Sequence, residues 1–362
     1  MVKILCFGGT EAILKIYDKD NVEDWDKCVK SFNNWDVYYL YEYAYSFMLH
    51  GDGDIYLIYF EHHNERFCYV VMQKDIALCD KFKGALPEGR YFDWETPYGY
   101  GGPLADVDIS EESQQIFLNE IREYCRSNHI ISQFVRFHPL LNNYDVLQNV
   151  IETRYLRDTI FIDTSDLDLI INNMDSKNRN MVRKAQKNNV NIVCKSINEF
   201  QDFIPMYDET MEKNGADAYY TFNYDYFDSL CNMKDNAMIF YAFHDEKPIS
   251  GSIIFYNDRF MHYHLSGSYT EYRKYAPSNL LLYEAACWAC GKGIKQFHLG
   301  GGMAQDDSLF GFKKQFNKNG RAAYVVGRTI FDDKCYRELL GIRKKLDSEF
   351  DINNKYMIQY RM

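Results

Sequence analysis

Lys313 lies in the run Phe312-Lys313-Lys314-Gln315-Phe316, shortly after three consecutive glycines, Gly300 to Gly302. Helical spacing sends Phe312 and Phe316 inward together and leaves Lys313 on the flank beside the glycines. An ammonium there can hold an oxyanion, or it can be a solvated lysine on an amphipathic helix. Gly301 and its neighbours either let a ligand approach the backbone or simply turn the chain. Asp306 and Asp307 follow directly. A carboxylate at that place could accept the proton of an attacking amine, which arrives charged because its ordinary pKa is about 10.4.

Two further segments could meet an anion. Arg273 and Lys274 precede a helix opening at Pro277, where Ser278 and Asn279 present backbone amides. The helix 177–187 gathers Lys177, Arg179, Arg183, Lys184 and Lys187, five positive charges in eleven residues. Such a run is a solvated face in most proteins, yet it could also face an anionic donor. Tyr98 and Tyr100 alternate with glycines in Thr96–Pro103, a pattern that suits either sugar stacking or core packing. Cys287 and Cys290 form a C-x-x-C inside an apolar helical run, without a second pair or a histidine at metal spacing. They read as buried thiols, and no metal site is expected.

These residues need elements to place them. Residues 1–9 read as a first strand, residues 21–33 and 38–49 as helices, 55–60 and 67–72 as a hairpin, 111–127 as a helix and 130–137 as a strand. After a boundary near 155–165 the order returns. The basic helix leads to a strand at 190–195, helices at 197–213 and 224–232, and extended runs at 237–244, 248–256 and 259–266. A helix from 277 to 291, a strand at 295–299, a helix at 307–317 and a strand at 321–331 follow. Meander, helix, strand, helix, strand occurring twice predicts a duplicated α/β unit.

Length and composition agree. At about 150 residues per domain, 362 residues make two or three domains. The net charge of −11, from 41 Lys+Arg against 52 Asp+Glu, excludes a surface that grips nucleic acid through bulk charge. The apolar N-terminal stretch is too short for a signal-peptide core and no run is long enough to span a membrane, so a cytoplasmic location is expected. Ten scattered cysteines fit reduced thiols. No nucleophile elbow, H-E-x-x-H or Walker motif occurs. The 31 tyrosines and 25 phenylalanines exceed the needs of a routine core.

Residues 262–316 carry, in order, a strand ending in Gly267-Ser268, a polar loop, Ala276-Pro277-Ser278-Asn279-Leu280-Leu281 opening a helix, a strand running into Leu299-Gly300-Gly301, and Leu309-Phe310-Gly311-Phe312-Lys313-Lys314-Gln315-Phe316. This resembles the FemAB-like branch of the GNAT acyltransferase superfamily, relatives of the peptidoglycan interpeptide-bridge enzymes. Ser176-Lys177 with Arg179 and Arg183-Lys184-Ala185 resembles that family's basic helix, and Thr96–Pro103 its glycine-rich segment.

The resemblance implies an α/β protein of two tandem GNAT-like (acyl-CoA N-acyltransferase) domains with mixed, largely antiparallel sheets flanked by helices. The expected domains are 1–160, joined by a C-terminal strand at 350–362, and 161–349. It implies an acyltransferase moving an acyl or aminoacyl group to a primary amine of a cell-envelope or sugar-linked acceptor, in peptidoglycan or polysaccharide biosynthesis. Lys313 would stabilise charge at the reaction centre, with Asp306 or Asp307 beside it. Tyr98, Tyr100, Tyr226, Tyr263, Gly301 and Phe312 would bind the acceptor in a tyrosine-lined cleft between domains. Lys177, Arg179, Arg183, Arg273, Lys274, Ser278 and Asn279 would meet the donor.

No tightly bound cofactor is implied, only acyl-CoA or aminoacyl-tRNA as co-substrate. The acceptor would be a small-molecule or glycan-linked amine, with tRNA a candidate partner, no DNA, no membrane span, and peripheral contact with a lipid-linked precursor conceivable. The donor loop lacks the glycines of an ordinary GNAT, and Phe222 stands where muropeptide-binding relatives keep the arginine of an Arg-x-x-x-Tyr pair with Tyr226. The loop's departure, shared by the FemAB-like branch, tells against CoA, whereas the missing arginine and the acidic net charge favour an acyl-thioester donor and an acceptor other than the standard muropeptide. A bridge aminoacyltransferase and a non-catalytic glycan-binding module are the alternatives.

Overall fold

The computed structural model describes residues 2–7, 10–82, 84–304 and 306–362. Met1, Gly8 and Gly9 of the expected first strand lie outside them, and Val2–Phe7 is a strand. The chain divides into two compact units: Met1–Leu156 with Tyr324–Met362, and Arg157–Ala323.

Each unit has the same plan. In the first, Thr10–Tyr17, Asp54–His62 and Glu65–Asp75 form an antiparallel meander, and Phe92–Glu95 joins its edge. Phe92–Glu95 then pairs in parallel with Ile130–Arg136, across the helix Glu111–Ser127. In the second, Ala237–His244, Lys247–Tyr256 and Phe260–Ser268 form the meander, and Phe260–Ser268 pairs in parallel with Gln296–Gly300 across the helix Pro277–Gly291. A parallel pair requires a crossover of this length, so the helix in each repeat is topologically obligatory. The molecule is a duplicated α/β fold with mixed, largely antiparallel strand pairing flanked by helices.

The helix Pro277–Gly291 buries Leu280, Leu281, Leu282, Ala285, Ala286 and Ala289. Some of these pack on the sheet through Ile254, Met261 and Phe297, while Val182 and Ala185 of the basic helix Ser176–Lys187 cover others. A helix covered on two sides loses its polar face, which explains why this segment is apolar nearly all round.

The C-terminal segment departs from expectation. Residues 350–362 hold turns and a short 3-10 helix, Gln359–Arg361, and no strand. The segment 324–349, expected in the second domain, belongs to the first unit and contains an unanticipated helix, Asp333–Leu346. Side-chain chemistry decides this. Asp93 and Glu95, buried on the strand Phe92–Glu95, draw in Arg361 and Tyr360: Tyr360 Oη and Arg361 Nε each donate to Asp93 Oδ2 at 2.7 Å. Lys74 Nζ stands 2.5 Å and Arg136 Nη2 3.3 Å from Glu95. Arg343 of the added helix donates to the carbonyls of Tyr360 and Met362.

These cations hold the Glu95 carboxyl far below the usual carboxylate range against the opposing effect of burial. Its folded-state pKa is depressed, so the network's contribution is present above the ordinary carboxylate pKa and is lost as pH falls through and below that value. Arg361→Met is expected to cost about 2 to 4 kcal/mol, since it strands a buried carboxylate at a place only partly screened by solvent. Urea unfolding at pH 7 and pH 4 checks this, with the gap between variant and parent narrowing at the lower pH.

Candidate active site

The strands Phe260–Ser268 and Gln296–Gly300 pair only over Phe260–His262 and Gln296–His298. On its other edge Phe260–Ser268 slips register: Ile253 faces Leu265 while Ile254 faces Tyr263, leaving His264 as an extra residue. A bulge bends its strand, and the two parallel strands run unpaired beyond His262. His264 itself is spent on structure. Its Nε2 lies 2.6 Å from Tyr226 Oη, its ring packs 4.4 Å from Phe255, and burial pulls it down to about 3, which keeps it neutral.

Past the end of Gln296–Gly300 the chain makes a loop and enters the short helix Ser308–Lys314. Asp307 caps that helix, accepting from Phe310 N at 2.8 Å, and its other oxygen accepts from Met303 N at 2.6 Å and Ala304 N at 2.9 Å. Gly302 must be glycine here, because a Cβ would fall 1.9 Å from Asp307 Oδ1. On the other side of the loop Arg157 Nη1 donates to Met303 O at 2.9 Å.

Lys313 is 8% exposed, and its Nζ donates to Gly301 O at 2.7 Å, 5.7 Å from the centroid of the Tyr263 ring. Among the described residues no carboxylate lies within ion-pairing distance of it. Burial draws its pKa from 10.5 to about 8, with Asp307 attracting the charge and Arg157 repelling it. Burial pushes the Tyr263 hydroxyl up, and the hydroxyls of Ser266 and Ser252 draw it the other way. Lysine ammonium, Gly301 carbonyl and tyrosine ring thus meet where the two strands part.

Several expectations change. Lys313 is not on a flank. Phe310, Lys313 and Phe316 are the buried residues, whereas Phe312 is half-buried and meets Phe316 edge-on at 5.4 Å. The helix tightens at its end, with Gln315 N bonded to Phe312 O and Phe316 N to Lys313 O. Bonds three residues apart align i with i+3, which turns Lys313 inward. The amides that bond the Asp307 carboxylate hold its pKa below the usual carboxylate range, which weakens it as a base. Asp306 is exposed, in the left-handed conformation at φ 55°.

Tyr226 is fully buried and stacks on Phe222 at 4.2 Å, so it braces the bulge through His264 and presents no free face to a substrate. Arg179 is occupied by the carbonyls of Met174 and Ile171, Ser278 lies 3.2 Å from Ser250 Oγ, and Asn279 donates to Asn178 at 2.7 Å. These three side chains of the expected donor set brace the fold. Lys177, Arg183, Arg273 and Lys274 are exposed.

In the first unit Tyr98 and Tyr100 are half-buried. Tyr43 Oη donates to Tyr98 O at 2.5 Å, Tyr39 Oη to Gly101 O at 3.1 Å, and the Tyr100 ring meets Tyr38 and Tyr324 at 5.6 Å. The tyrosines of 38–45 include two whose hydroxyls hold this loop. Arg157 and Ser252 went unnoticed in the sequence, because nothing in their local spacing connects them with a loop and a strand far along the chain.

Residues 174–314 match the acetyltransferase (GNAT) domain family. No curated protein matches the sequence. Among solved structures the chain is similar to FemX at 16% identity, covering 87% of this chain and 97% of that one with a TM-score of 0.64. It is similar to L-PGS from Bacillus licheniformis at 11% identity, covering 89% and 96%, with a TM-score of 0.55. A conserved protein of unknown function from Bacteroides thetaiotaomicron VPI-5482 is similar at 9% identity, covering 90% and 99%, with a TM-score of 0.58. At these identities the likeness is one of fold.

Proposed function

We propose that this protein, an acyltransferase whose residues 174–314 are a GNAT domain within a FemAB-like tandem fold, moves an acyl group from a thioester donor to a primary amine of a cell-envelope or sugar-linked acceptor. The observation that carries this reading is the buried, unpaired ammonium of Lys313 at the glycine loop. Burial of a lysine without a carboxylate costs stability, and a site that keeps one has a use for the charge.

In the reaction the neutral amine adds to the thioester carbonyl, giving a tetrahedral intermediate that then expels thiolate. Lys313 stabilises the oxyanion or the departing sulfur. Its pKa of about 8 lies close to the value of about 8.5 for an ordinary thiol, which makes it a well-matched acid for a thiolate. The leaving alkoxide of an aminoacyl ester is far more basic, so this match favours the thioester over charged tRNA. Exposed Arg273 and Lys274, ahead of the amides at the start of Pro277–Gly291, suit the donor's phosphates. Half-buried Tyr98 and Tyr100 suit a sugar.

FemX and L-PGS as neighbours support an envelope amine as acceptor. Among the described residues no helix is long and apolar enough to cross a membrane. Asp306 is the carboxylate of the loop left to take the amine's proton, and Asp306→Asn is expected to lower kcat about 100-fold, as loss of a general base does. Steady-state rates across pH 6 to 9 check this. Incubation with an acyl-CoA panel and, separately, charged tRNAs, each with envelope precursors and read by mass spectrometry, tests the whole reading. Transfer from tRNA alone would replace the thioester donor, and transfer from neither would remove the enzymatic function.

A further inference from the structure

Each unit carries a helix that crosses between two parallel strands, Glu111–Ser127 in the first and Pro277–Gly291 in the second. The start of such a helix gathers unpaired amides and the positive end of the dipole, where a phosphate group binds. The two starts are built oppositely. In the first unit Glu65 closes the helix start. Its Oε2 accepts from Ser110 N at 2.9 Å and from Ser110 Oγ at 2.8 Å, at the residue that caps the helix. Behind Ser110, Ser113 Oγ lies 3.1 Å from Ser110 Oγ and 2.8 Å from Nδ1 of buried His62, which pairs with Glu65 across the hairpin. Exposed Glu111 and Glu112 add two carboxylates in the first turn. Pro277–Gly291 has no acidic residue in its first turn and no side-chain cap, and exposed Arg273 and Lys274 precede it.

The strands differ in the same sense. In the second unit the parallel pairing ends at His262 and His298, and the strands part. In the first unit the chain beyond Phe92–Glu95 stays fastened to its neighbour. Thr96 N donates to Phe134 O at 3.1 Å, Arg136 N to Thr96 Oγ1 at 3.1 Å and Arg136 Nη1 to Thr96 O at 2.7 Å. Gly101 then bonds to the same strand, donating to Arg136 O at 2.7 Å and accepting from His138 N at 3.0 Å. Thr96 and Arg136 therefore close the gap that stands open in the second unit.

We propose that the protein binds one phosphate-bearing donor per chain, at the start of Pro277–Gly291, and that the first unit is closed to a donor by its own Glu65 carboxylate, which occupies the place of the phosphate. A second anion at Ser110 would meet three carboxylates, Glu65, Glu111 and Glu112, and an amide already bonded, so the duplicated fold yields one donor site. The identity of the donor rests on the thioester reading, whereas closure by Glu65 stands on the first unit alone.

Isothermal titration of the full-length protein with coenzyme A is expected to give one site per chain, weakened about tenfold by Arg273→Glu combined with Lys274→Glu. Two sites per chain, or one site untouched by that double variant, overturns the proposal. Thermal melts in sodium phosphate and in sodium chloride of equal ionic strength test the closure separately. Phosphate is expected to raise the melting temperature of Glu65→Ala about 3 °C more than that of the parent, the shift for a ligand at about ten times its Kd. Glu65→Gln, which keeps an accepting oxygen for Ser110 without the charge, is the second variant and is expected to shift in the same direction. A chain that binds no coenzyme A removes the thioester reading, and the melts alone then decide: a larger shift in the Glu65 variants upholds the closure, and equal shifts in all three proteins overturn it.

Discussion

Lys313→Met is expected to lower kcat about 100- to 1,000-fold, the cost of removing one donor to a developing oxyanion, while making the protein more stable at neutral pH. The two effects share a cause. The ammonium is buried against a carbonyl and a ring, with no carboxylate beside it, and its folded-state pKa of about 8 stands below the 10.5 of an exposed lysine. The unfolded chain therefore binds more protons between those values, and stability rises with pH across that window. Below pH 8 the penalty is constant at ~3 kcal/mol, from the difference of about 2.5 pKa units. Methionine fills the volume without charge and removes that penalty.

The same titration shapes the parent's rate. As pH passes through about 8 the ammonium is lost and kcat falls on the alkaline side, whereas the Lys313→Arg variant keeps its charge and carries its limb to higher pH. Thermal melts and pH–rate profiles of the three proteins check both halves. A Lys313→Met variant that is both fully active and no more stable would leave Lys313 as an ordinary packed side chain.

Asp307 should separate a clasp from a base. Asp307→Ala is expected to lower kcat about 100-fold, because releasing the loop misplaces Gly301 and Lys313, and to cost about 1 to 2 kcal/mol through the lost helix cap. Asp307→Asn keeps one accepting oxygen, which can still cap Phe310, while its NH2 replaces the oxygen that met Met303 and Ala304, so it is expected to retain more of the rate and stability than the alanine variant. A general base would be lost in both variants alike. Rates and melting temperatures measured together decide between these, since only the clasp predicts that activity follows stability.

The tyrosine excess illustrates how far the sequence could be read. Its clustering near Thr96–Pro103 and along Tyr38–Tyr45 was visible, but the hydroxyl bonds from Tyr39 and Tyr43 to that loop join residues more than fifty positions apart. Tyr226 shows the reverse error. Its position in a family motif pointed to substrate, while the fold encloses it against Phe222 and His264.

Local physics determined much of this protein from sequence alone: the α/β alternation, its duplication, the apolar crossover helix and the glycine loop, while the choice of Lys313 as its cation came from the family resemblance. Hydrophobic periodicity, glycine placement and helix punctuation act within a few residues, and they leave readable marks. Tertiary structure decided the rest. Whether Lys313 faces solvent or the interior depends on how one short helix ends. Whether Asp307 can take a proton depends on which amides the loop folds onto it. Which unit claims residues 324–362 depends on buried Asp93 and Glu95 finding Arg361 and Tyr360 more than 260 positions away. Pairings at such separation have no local signature, because the free energy that selects them appears only once both partners have left water.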